Sequence, residues 1–337
     1  MMKDLNQDMM TCGVCVEPGT FALEARELPQ EAPDGYRLVD IAAIGICGTD
    51  YHIFEGKHPF LDYPRVIGHE LSGYLASGPD AGDLVVINPY VSCGTCRACR
   101  RGKPNCCTQI GVFGVHRDGG MCARLAVPEA NLYPATGLTP EQAAMVEFLA
   151  IGAHAVARSQ CGKGDQVLVT GAGPIGLGTA LFARLAGAEV HLMDISRPRL
   201  ETARDLFGFT QIHTPDETIL TGDLSEGFDV VFDATGNVNA IEAGFPLIAH
   251  GGSSVLVSVV KDTVTFTDSE FHKREMRIIG SRNALKEDFD HVIASIRAGD
   301  IPTDAIASAV VPLAELPERF AGFVENRDHI IKVLVTP

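Results

Sequence analysis

The stretch QVLVTGAGPIG, Gln166 to Gly176, decides the fold of this 337-residue chain. Its first five residues have the β-branched composition of a buried strand, and the next six form a glycine-rich turn. A helical stretch, Leu177 to Ala186, follows the turn. This order of strand, turn and helix is the context in which the pattern G-x-G-x-x-G binds a dinucleotide.

Each part of the turn has a physical task in that interpretation. Gly171 permits the tight turn, and Gly173 lets backbone amides approach a pyrophosphate. Pro174 and Ile175 complete the turn, and Gly176 allows the following helix to pack closely on the strand with its N-terminus facing the anion. We therefore predict that these five residues bind the cofactor.

Asp194 closes the next predicted strand, 18 residues after Gly176. A carboxylate there would accept hydrogen bonds from the adenosine ribose hydroxyls and repel a 2′-phosphate, which favours NAD over NADP. Arg199 is a second candidate for the adenine ribose, although it reads equally well as a solvated helix residue. Glycines that only shape a turn between helix and sheet would not explain the strand, loop, helix and acid together.

Outward from this stretch, the chain changes character near Pro140. Beyond it, strands alternate with helical stretches, which predicts a doubly wound parallel sheet. The predicted strands are Gln166 to Thr170, Glu189 to Asp194, Asp229 to Thr235, Ser253 to Val260 and Met276 to Ser281. The last segment adds predicted helices over Asp288 to Arg297 and Leu313 to Phe323, and predicted strands over Ala307 to Val311 and Ile330 to Val335.

The part before Pro140 reads differently. From about Val14 to Val127, short alternating strands are broken by Gly and Pro, for example Phe21 to Leu28, Tyr36 to Ile46 and Leu84 to Asn88. This predicts a β-rich domain. A chain of 337 residues also exceeds the roughly 250–300 residues at which a single core stops growing, so we expect two domains.

The charge balance limits the partners. Lys and Arg number 27 against 43 Asp and Glu, a net charge of −16, which repels nucleic-acid backbones and anionic membranes. The N-terminal MMKDLNQDMM has no apolar run typical of a signal peptide, so we expect a cytoplasmic protein. In that compartment the ten cysteines are not expected to form a disulfide framework and are available for metals or chemistry.

Four cysteines, Cys93, Cys96, Cys99 and Cys107, lie within fifteen residues. Four soft thiolates complete a tetrahedral shell around zinc and leave no room for a substrate, so this site is predicted to be structural. Cys106 could replace Cys107 by a shift of one residue. A nucleic-acid zinc ribbon is the alternative reading, which the net charge opposes.

A second set of metal-binding residue types is scattered along the chain: Cys47 in GICGTD, His69 and Glu70 in GHE, and Glu147 in MVEFLA. Each alone reads more easily as a core residue. Together they offer a thiolate, an imidazole and one or two carboxylates, a mixed set typical of a catalytic zinc that keeps a position open for an alcohol.

These residues are where the sequence resembles the zinc-containing medium-chain alcohol and polyol dehydrogenases. The motifs GICGTDYH, RVIGHE, CGTCRACRRGKPNCC and GAGPIG, with an acid at Glu147, occur in the order of that family. The resemblance implies an α/β protein with a chaperonin-10-like β-rich catalytic domain and a Rossmann NAD-binding domain. The corresponding boundaries are a flexible tail over 1–10, the catalytic domain over 11–150, the Rossmann domain over 151–290, and a segment over 291–337 that returns to the catalytic domain.

By the same resemblance, Cys47, His69 and Glu147 are the catalytic zinc ligands, and Glu70 alternates between binding the zinc and lying behind it. Alcohol-type members have a cysteine where this chain has Glu147. The family's spacing also favours Cys107 over Cys106.

The resemblance further implies a route for the proton that leaves the zinc-acidified alcohol. Thr49 would accept it and pass it through a ribose hydroxyl towards His52. Asp50 would hold the second ring nitrogen of His69. A turn hydroxyl is the alternative for Thr49.

Four further stretches resemble bacterial L-galactonate and L-gulonate 5-dehydrogenases more than threonine or sorbitol dehydrogenases: PFLDYPRVIGHE, NCCTQIGVFGVHRDGG, FHKREMRIIGSRNA and ENRDHIIKVLV. The expected reaction is oxidation of a sugar acid at carbon 5 to a ketohexuronate. Polyol or L-threonine oxidation, or a non-catalytic zinc-binding regulator, are the alternatives.

The expected substrate is an anion, and a cation must hold its carboxylate. His116 and Arg282 are the first candidates, while Arg117, Lys57 and His58 remain open. We expect a homodimer or homotetramer.

Overall fold

The computed structural model describes residues 8–58 and 61–337. The chain divides into two compact units: unit 1 is Met1–Glu147, Ile293–Gly299 and Ile306–Pro337, and unit 2 is Phe148–Val292 and Asp300–Ala305. This division into compact units does not test the domain boundaries expected at residues 150 and 290, which remain predictions. The flexible tail expected over 1–10 falls mostly on residues 1–7, which lie outside the described residues. The prediction of a flexible tail is wrong for its last two residues, because Met9 and Met10 pair with Glu27 and Arg26 in the ladder between the first two strands.

Strands and helices are numbered in chain order over the described residues. The strands are β1 (Met9–Glu17), β2 (Thr20–Glu27), β3 (Tyr36–Ile46), β4 (Arg65–Val66), β5 (Glu70–Leu75), β6 (Leu84–Ile87), β7 (Tyr90–Val91), β8 (Gly111–Val112), β9 (Arg124–Pro128), β10 (Leu132–Pro134), β11 (Gln166–Thr170), β12 (Glu189–Met193), β13 (Ile212–His213), β14 (Phe228–Asp233), β15 (Ile248–Leu256), β16 (Arg277–Gly280), β17 (Ala307–Pro312) and β18 (Lys332–Thr336). The α-helices are α1 (Gly48–Phe54), α2 (Arg97–Arg100), α3 (Pro140–Ala144), α4 (Val146–Ser159), α5 (Pro174–Leu185), α6 (Arg197–Phe207), α7 (Val238–Gly244), α8 (Asp268–Lys273), α9 (Lys286–Ala298), α10 (Thr303–Ile306) and α11 (Leu316–Glu325). Short 3₁₀ turns cover Pro104–Cys106, Glu129–Asn131, Gly222–Leu224, Phe245–Leu247 and Leu313–Glu315.

Unit 1 is built on a mixed sheet with the order β10-β6-β5-β3-β18-β17, to which β9 adds on β3. Smaller sheets β2-β1-β4 and β7-β8 complete its described part. The central strand β3 has β5 antiparallel on one side and β18 antiparallel on the other. Gly45 therefore has Glu70 as one cross-strand partner and Leu334 as the other. This register brings three distant parts of the sequence to one place.

Unit 2 contains the parallel sheet that the alternating pattern predicts, with the order β13-β12-β11-β14-β15-β16. All five predicted strands of this region appear: four lie within two residues of their expected bounds, and the strand predicted over Ser253 to Val260 is β15, which begins five residues earlier. The glycine-rich turn follows β11, a central strand buried along Val167–Thr170. The turn thus lies at the carboxyl end of a parallel strand, where open α/β sheets bind ligands.

One predicted helix begins later than expected. The helix predicted over Leu313 to Phe323 is a 3₁₀ turn at Leu313–Glu315 followed by α11, which starts at Leu316. Pro317 lies in the first turn of α11. Proline fits there because it lacks the N–H that an interior helix position must donate, so a helix starting at Leu313 would lose that hydrogen bond.

Among the described residues, no helix combines the length and apolar character needed to cross a membrane.

Candidate metal centres and cofactor site

The register of β3 and β5 builds the first metal centre. Cys47 follows the end of β3, His69 directly precedes β5, and Glu70 is the first residue of β5. One ligand atom from each of these three side chains lies within 4.8 Å of the others. A Cβ atom at Gly45 would collide with the Glu70 carboxylate, so only glycine on β3 leaves room for that side chain.

Asp50 ties the two ligand-bearing loops together. Its carboxylate is fully buried and accepts hydrogen bonds from the Cys47 amide at 2.9 Å and the Gly68 amide at 3.3 Å. Its Oδ1 lies 3.7 Å from His69 Nδ1. Burial raises the pKa of Asp50, although His69 and the Cys47 amide favour the charged form. Burial by itself lowers the pKa of His69, but Asp50 and Cys47 outweigh it and raise that pKa well above its usual value.

The buried Glu70 Oε2 has no hydrogen-bond partner among the described residues, and His69 Nδ1 faces only the Asp50 carboxylate at 3.7 Å. Such atoms are costly unless another group satisfies them. A sulfur, a nitrogen and an oxygen donor at this spacing match zinc, which accepts all three. The residues therefore fit a zinc ion.

Glu147 lies in the first turn of α4 and is buried, but it is outside the group formed by Cys47, His69 and Glu70. Its Oε1 accepts a hydrogen bond from the Tyr90 hydroxyl. Burial, together with the nearby Glu70, raises the pKa of Glu147 to about 7, against the opposing effect of His69. Direct zinc ligation by Glu147 stays a prediction.

Lys332 is a member of this centre that the sequence interpretation missed. It is the first residue of β18, only 1% exposed, and its Nζ donates to Glu70 Oε1 at 2.6 Å and to the Ile46 carbonyl at 3.1 Å. Burial alone would lower the pKa of Lys332, but Glu70 and Cys47 outweigh it and raise the pKa. A single lysine inside the apolar run IIKVLV was the available signal.

The second metal centre gathers the side chains of Cys93, Cys96, Cys99 and Cys107, with all four sulfurs within 4.8 Å of one another. Cys106 is exposed and lies outside the group, so the alternative with Cys106 as a ligand is wrong. Backbone amides point at the sulfurs: the Cys96 amide donates to Cys93 Sγ and the Cys93 amide to Cys107 Sγ, each at 3.3 Å. Backbone N–H groups of Cys99 and Thr108 lower the pKa of Cys96 to about 5, which favours the thiolate that zinc binds.

The cofactor turn has the backbone geometry that its glycines predict. Gly171 has φ of +92°, a left-handed value, and a Cβ atom there would lie 2.9 Å from the Ala234 carbonyl oxygen. A Cβ atom at Gly176 would collide with the Gly171 carbonyl. Gly173 is the N-cap of α5, and Pro174 is its first residue. Only glycine fits at the first and last of these positions.

Asp194 follows β12 and its carboxylate is buried beside the turn. Its oxygens accept hydrogen bonds from the Ala172 amide at 2.6 Å and the Ser196 amide at 2.7 Å. Arg199 Nη1 lies 4.0 Å from Asp194 Oδ2. A carboxylate has about four acceptor positions, so Asp194 keeps acceptor capacity for ribose hydroxyls.

Comparison with known proteins agrees with this geometry. The model of the Alcohol dehydrogenase GroES-like domain matches residues 33–137, and the model of the Zinc-binding dehydrogenase matches residues 174–298. The L-galactonate-5-dehydrogenase of Escherichia coli (strain K12) is 41% identical over 342 residues, which cover 96% of this chain and 98% of that protein. The chain belongs to the zinc-dependent medium-chain alcohol dehydrogenases.

Solved structures support the same assignment. The alcohol dehydrogenase rspB from E. coli CFT073, crystallised with NADH, has a TM-score of 0.91 at 28% identity, covering 98% of this chain and 100% of that chain. The L-idonate 5-dehydrogenase from E. coli K-12 MG1655 has a TM-score of 0.87 at 27% identity, covering 98% of each chain. The predicted combination of a chaperonin-10-like domain and a Rossmann domain is confirmed. This medium-chain dehydrogenase is a zinc- and NAD-dependent oxidoreductase of the sugar-acid and polyol type.

The predicted proton-relay residues of this dehydrogenase lie on one short helix. Thr49 is partly buried in the first turn of α1, and His52 is more exposed and three residues further on. That spacing places both on the same face of the helix. Partial burial lowers the pKa of His52.

The predicted carboxylate-binding residues lie in different units. His116 is exposed in unit 1, and its Nδ1 accepts a hydrogen bond from the Val112 amide at 3.2 Å. A neutral imidazole in that arrangement carries its proton on Nε2, which makes it a donor. Arg282 is exposed in unit 2, two residues beyond β16. Of the other cations, Arg117 lies 5.6 Å from the Phe113 ring centroid and Lys57 lies 3.1 Å from Glu55.

Proposed function

We propose that this medium-chain dehydrogenase oxidises the secondary hydroxyl at carbon 5 of L-galactonate, or of the related L-gulonate, to the ketohexuronate. The hydroxyl carbon gives a hydride to NAD, and the hydroxyl proton leaves to solvent. The gathering of Cys47, His69 and Glu70, with the buried Glu70 Oε2 left without a partner among the described residues, carries the proposal of alcohol oxidation at this centre. The full-length similarity to an L-galactonate-5-dehydrogenase supports the choice of substrate.

The residues of the chain have separate tasks in this reaction. Cys47 and His69, with a carboxylate from Glu70 or Glu147, would hold the zinc ion, which would supply the Lewis acid that makes the hydroxyl acidic near neutral pH. Asp50 would orient the His69 ring, because its Oδ1 lies 3.7 Å from Nδ1 and leaves Nε2 for the metal.

Proton removal from the substrate is assigned to Thr49, whose hydroxyl both accepts and donates. His52 then passes the proton to solvent, since its lowered pKa favours a neutral ring that can accept it.

Glu70 and Glu147 are alternative carboxylate ligands for zinc, and the charges around Glu70 influence which of them would bind. Glu70 Oε1 is held by Lys332, and its Oε2 is the oxygen without a partner among the described residues. The ion pair with Lys332 would therefore oppose zinc ligation by Glu70. Glu147, which accepts a hydrogen bond from the Tyr90 hydroxyl, offers the alternative carboxylate.

We also propose that Asp194 selects NAD over NADP. A 2′-phosphate would place a second negative group beside a buried carboxylate, whereas two ribose hydroxyls would donate to it. Gly171, Gly173, Pro174, Ile175 and Gly176 would hold the pyrophosphate at the start of α5.

The substrate carboxylate is proposed to be held by His116 through its Nε2 proton or by Arg282 through its guanidinium. Both side chains are exposed hydrogen-bond donors in stretches that resemble the sugar-acid subgroup. Either contact would be a charge-assisted hydrogen bond.

The test is NADH formation by the zinc-loaded enzyme with L-galactonate, L-gulonate, sorbitol and L-threonine as separate substrates. We expect the highest kcat/KM with one of the two hexonates, and no turnover by Cys47→Ser with any of them. A higher kcat/KM for sorbitol would replace the proposal with polyol oxidation, and a higher value for threonine would replace it with amino-alcohol oxidation.

Two further predictions concern the whole protein. Assembly as a homodimer or homotetramer is supported by β16, an edge strand of the unit 2 sheet with a mostly exposed face. Light scattering after size-exclusion chromatography measures the number of subunits.

The expected cytoplasmic location is a separate prediction, and cell fractionation tests it.

A further inference from the structure

Two cysteines far apart in sequence face each other in unit 1, and neither belongs to the two groups of metal-binding side chains. Cys12 lies in β1 and Cys122 lies two residues before β9, and they are direct partners in an isolated antiparallel bridge. Both are reduced in this structure and almost fully buried, at 1% and 2% exposure. Neither has a task in the proposed reaction.

The hydrogen bond beside the pair defines its type. The Gly13 amide donates to the Met121 carbonyl at 2.7 Å, so the bond joins the residue after Cys12 to the residue before Cys122. This is the pattern of a non-hydrogen-bonded antiparallel pair, in which the two Cα atoms are only about 4.5 Å apart. A disulfide needs Cα atoms roughly 4.4–6.8 Å apart. The backbone is therefore already within range of a disulfide.

The side chains of such a pair also project to the same face of the sheet. The Cys122 thiol donates to the carbonyls of Gly119 at 3.7 Å and Arg124 at 3.3 Å, and its interaction with Cys12 lowers the pKa of Cys12 and raises that of Cys122. The Arg26 guanidinium acts in the same direction on Cys12. Cys15, on the same strand and equally buried, has its thiol turned to the Glu17 carbonyl, and burial raises its pKa to about 12.

We propose that Cys12 and Cys122 are a site of reversible disulfide formation, with a small hydroperoxide such as hydrogen peroxide as the oxidant. The Cys12 thiolate attacks one peroxide oxygen, giving a sulfenic acid and, after protonation, one water. The Cys122 sulfur then attacks the sulfenic sulfur and a second water leaves. Two thiols lose two electrons and two protons, and one hydrogen peroxide becomes two waters. Because both sulfurs are buried, oxidation waits on brief local opening of the bridge at β1.

The bond would act on the frame of the first metal centre. Three backbone hydrogen bonds tie the segment 119–121 to the residues just before His69: the Gly119 amide donates to the Val66 carbonyl, the Met121 amide to the Ile67 carbonyl, and the Gly120 amide to the Gly68 carbonyl. A disulfide would fix this segment to β1 and close a loop of about 110 residues in the unfolded chain. The oxidised protein should therefore be the more stable form.

The experiment uses the full-length, zinc-loaded protein. Wild type, Cys12→Ser, Cys122→Ser and Cys15→Ser are treated with hydrogen peroxide, quenched in acid, alkylated and digested, and the peptides are analysed by mass spectrometry. We expect a cross-linked Cys12 and Cys122 peptide in wild type and Cys15→Ser, lost on treatment with dithiothreitol and absent from the other two variants. Oxidised wild type should also melt at least about 4 °C higher than the reduced form, with zinc content unchanged.

Three results would overturn the proposal. The first is the release of zinc from the four-cysteine centre by peroxide before the cross-link forms. The second is a cross-link from Cys12 to Cys15 in place of Cys122. The third is recovery of Cys12 and Cys122 as alkylated thiols after peroxide treatment. Since wild type alone shows each of these, the conclusion does not depend on how well the serine variants fold.

Discussion

At the scale of single residues, Lys332 and Glu70 form an ion pair whose two side chains are 1% and 0% exposed. The isolated pair is not strong evidence for stability, because removing both charges from water is costly. Its energetic importance appears when one partner is removed. The other charge then stays buried without compensation.

Lys332→Met should therefore lower the free energy of unfolding by about 3–5 kcal/mol. Lys286→Met is the matched control, since Lys286 pairs with Asp290 at the same 2.6 Å but with both side chains more than half exposed. Urea unfolding of the zinc-loaded proteins measures both changes. Equal midpoints for the two variants would show that the Glu70 charge is satisfied without Lys332.

Asp194 is the second residue whose replacement gives a direct test. Asp194→Asn removes the charge and keeps one acceptor oxygen, which can still accept from the Ala172 amide of the turn although the hydrogen bond from the Ser196 amide is lost. We expect the ratio of kcat/KM for NAD to that for NADP to fall by about tenfold or more, the size of one lost charge-assisted hydrogen bond. Wild type that uses NADP as well as NAD would contradict the role of Asp194.

At the scale of elements, the sequence was most informative where the functional residues lie close together in the chain. The glycine turn after β11 and the four cysteines between Cys93 and Cys107 are local patterns, and their geometry follows from spacing alone. Lys332 reaches the first metal centre because β18 pairs with β3. Tyr90 reaches it because its hydroxyl donates to Glu147 at the start of the buried helix α4. The spacing of residues along the chain does not predict which strands pair or in what register. The sequence interpretation therefore missed these two residues.

The four-cysteine loop gives a prediction about an element rather than a catalytic group. Cys96→Ser should lose one of the two zinc ions and lower the Tm, because metal binding and local folding are coupled. Cys106→Ser is the control, since this neighbouring cysteine is exposed and outside the group. Metal analysis and calorimetry check both variants. Normal zinc content in Cys96→Ser, or zinc loss in Cys106→Ser, would show that the ligands are assigned wrongly.

The edge of the unit 2 sheet carries a pH-sensitive contact between β12 and β13. His191 Nδ1 lies 2.9 Å from His213 Nε2, and the rings stack with centroids 5.2 Å apart. Burial, and secondly His213, lower the pKa of His191 to about 4, from 6.5 in an exposed histidine. The unfolded chain binds the proton first as pH falls, so this contact should cost stability progressively between about pH 6.5 and 4.

His191→Phe keeps an aromatic ring without a titrating group. Between pH 6.5 and 4 it should lose about 1–3 kcal/mol less stability than wild type. Urea unfolding at a series of pH values measures this difference, with the exposed His250→Gln as the control that should follow wild type. Parallel curves for wild type and His191→Phe would show that the ring pair does not control acid stability.

At the scale of the whole molecule, the net charge of −16 bears on the choice of substrate. Its field opposes the approach of any anion, although salt screens it beyond about 8 Å at physiological ionic strength. A sugar acid therefore depends on a local cation for its carboxylate, whereas a neutral polyol does not. This difference separates the two substrate classes within one enzyme.

His116→Ala and Arg282→Ala test this dependence. The variant that removes the carboxylate contact should lose about ten- to a hundredfold in kcat/KM for L-galactonate, since a charge-assisted hydrogen bond contributes about 1.5–3 kcal/mol. Its kcat/KM for sorbitol should stay unchanged, because sorbitol has no carboxylate to lose. Arg319→Ala is the control, since Arg319 is an exposed arginine already paired with Glu315 at 2.9 Å on α11. Full L-galactonate efficiency in both test variants would move the carboxylate contact to another cation, and equal losses on L-galactonate and sorbitol would show a general effect on the site.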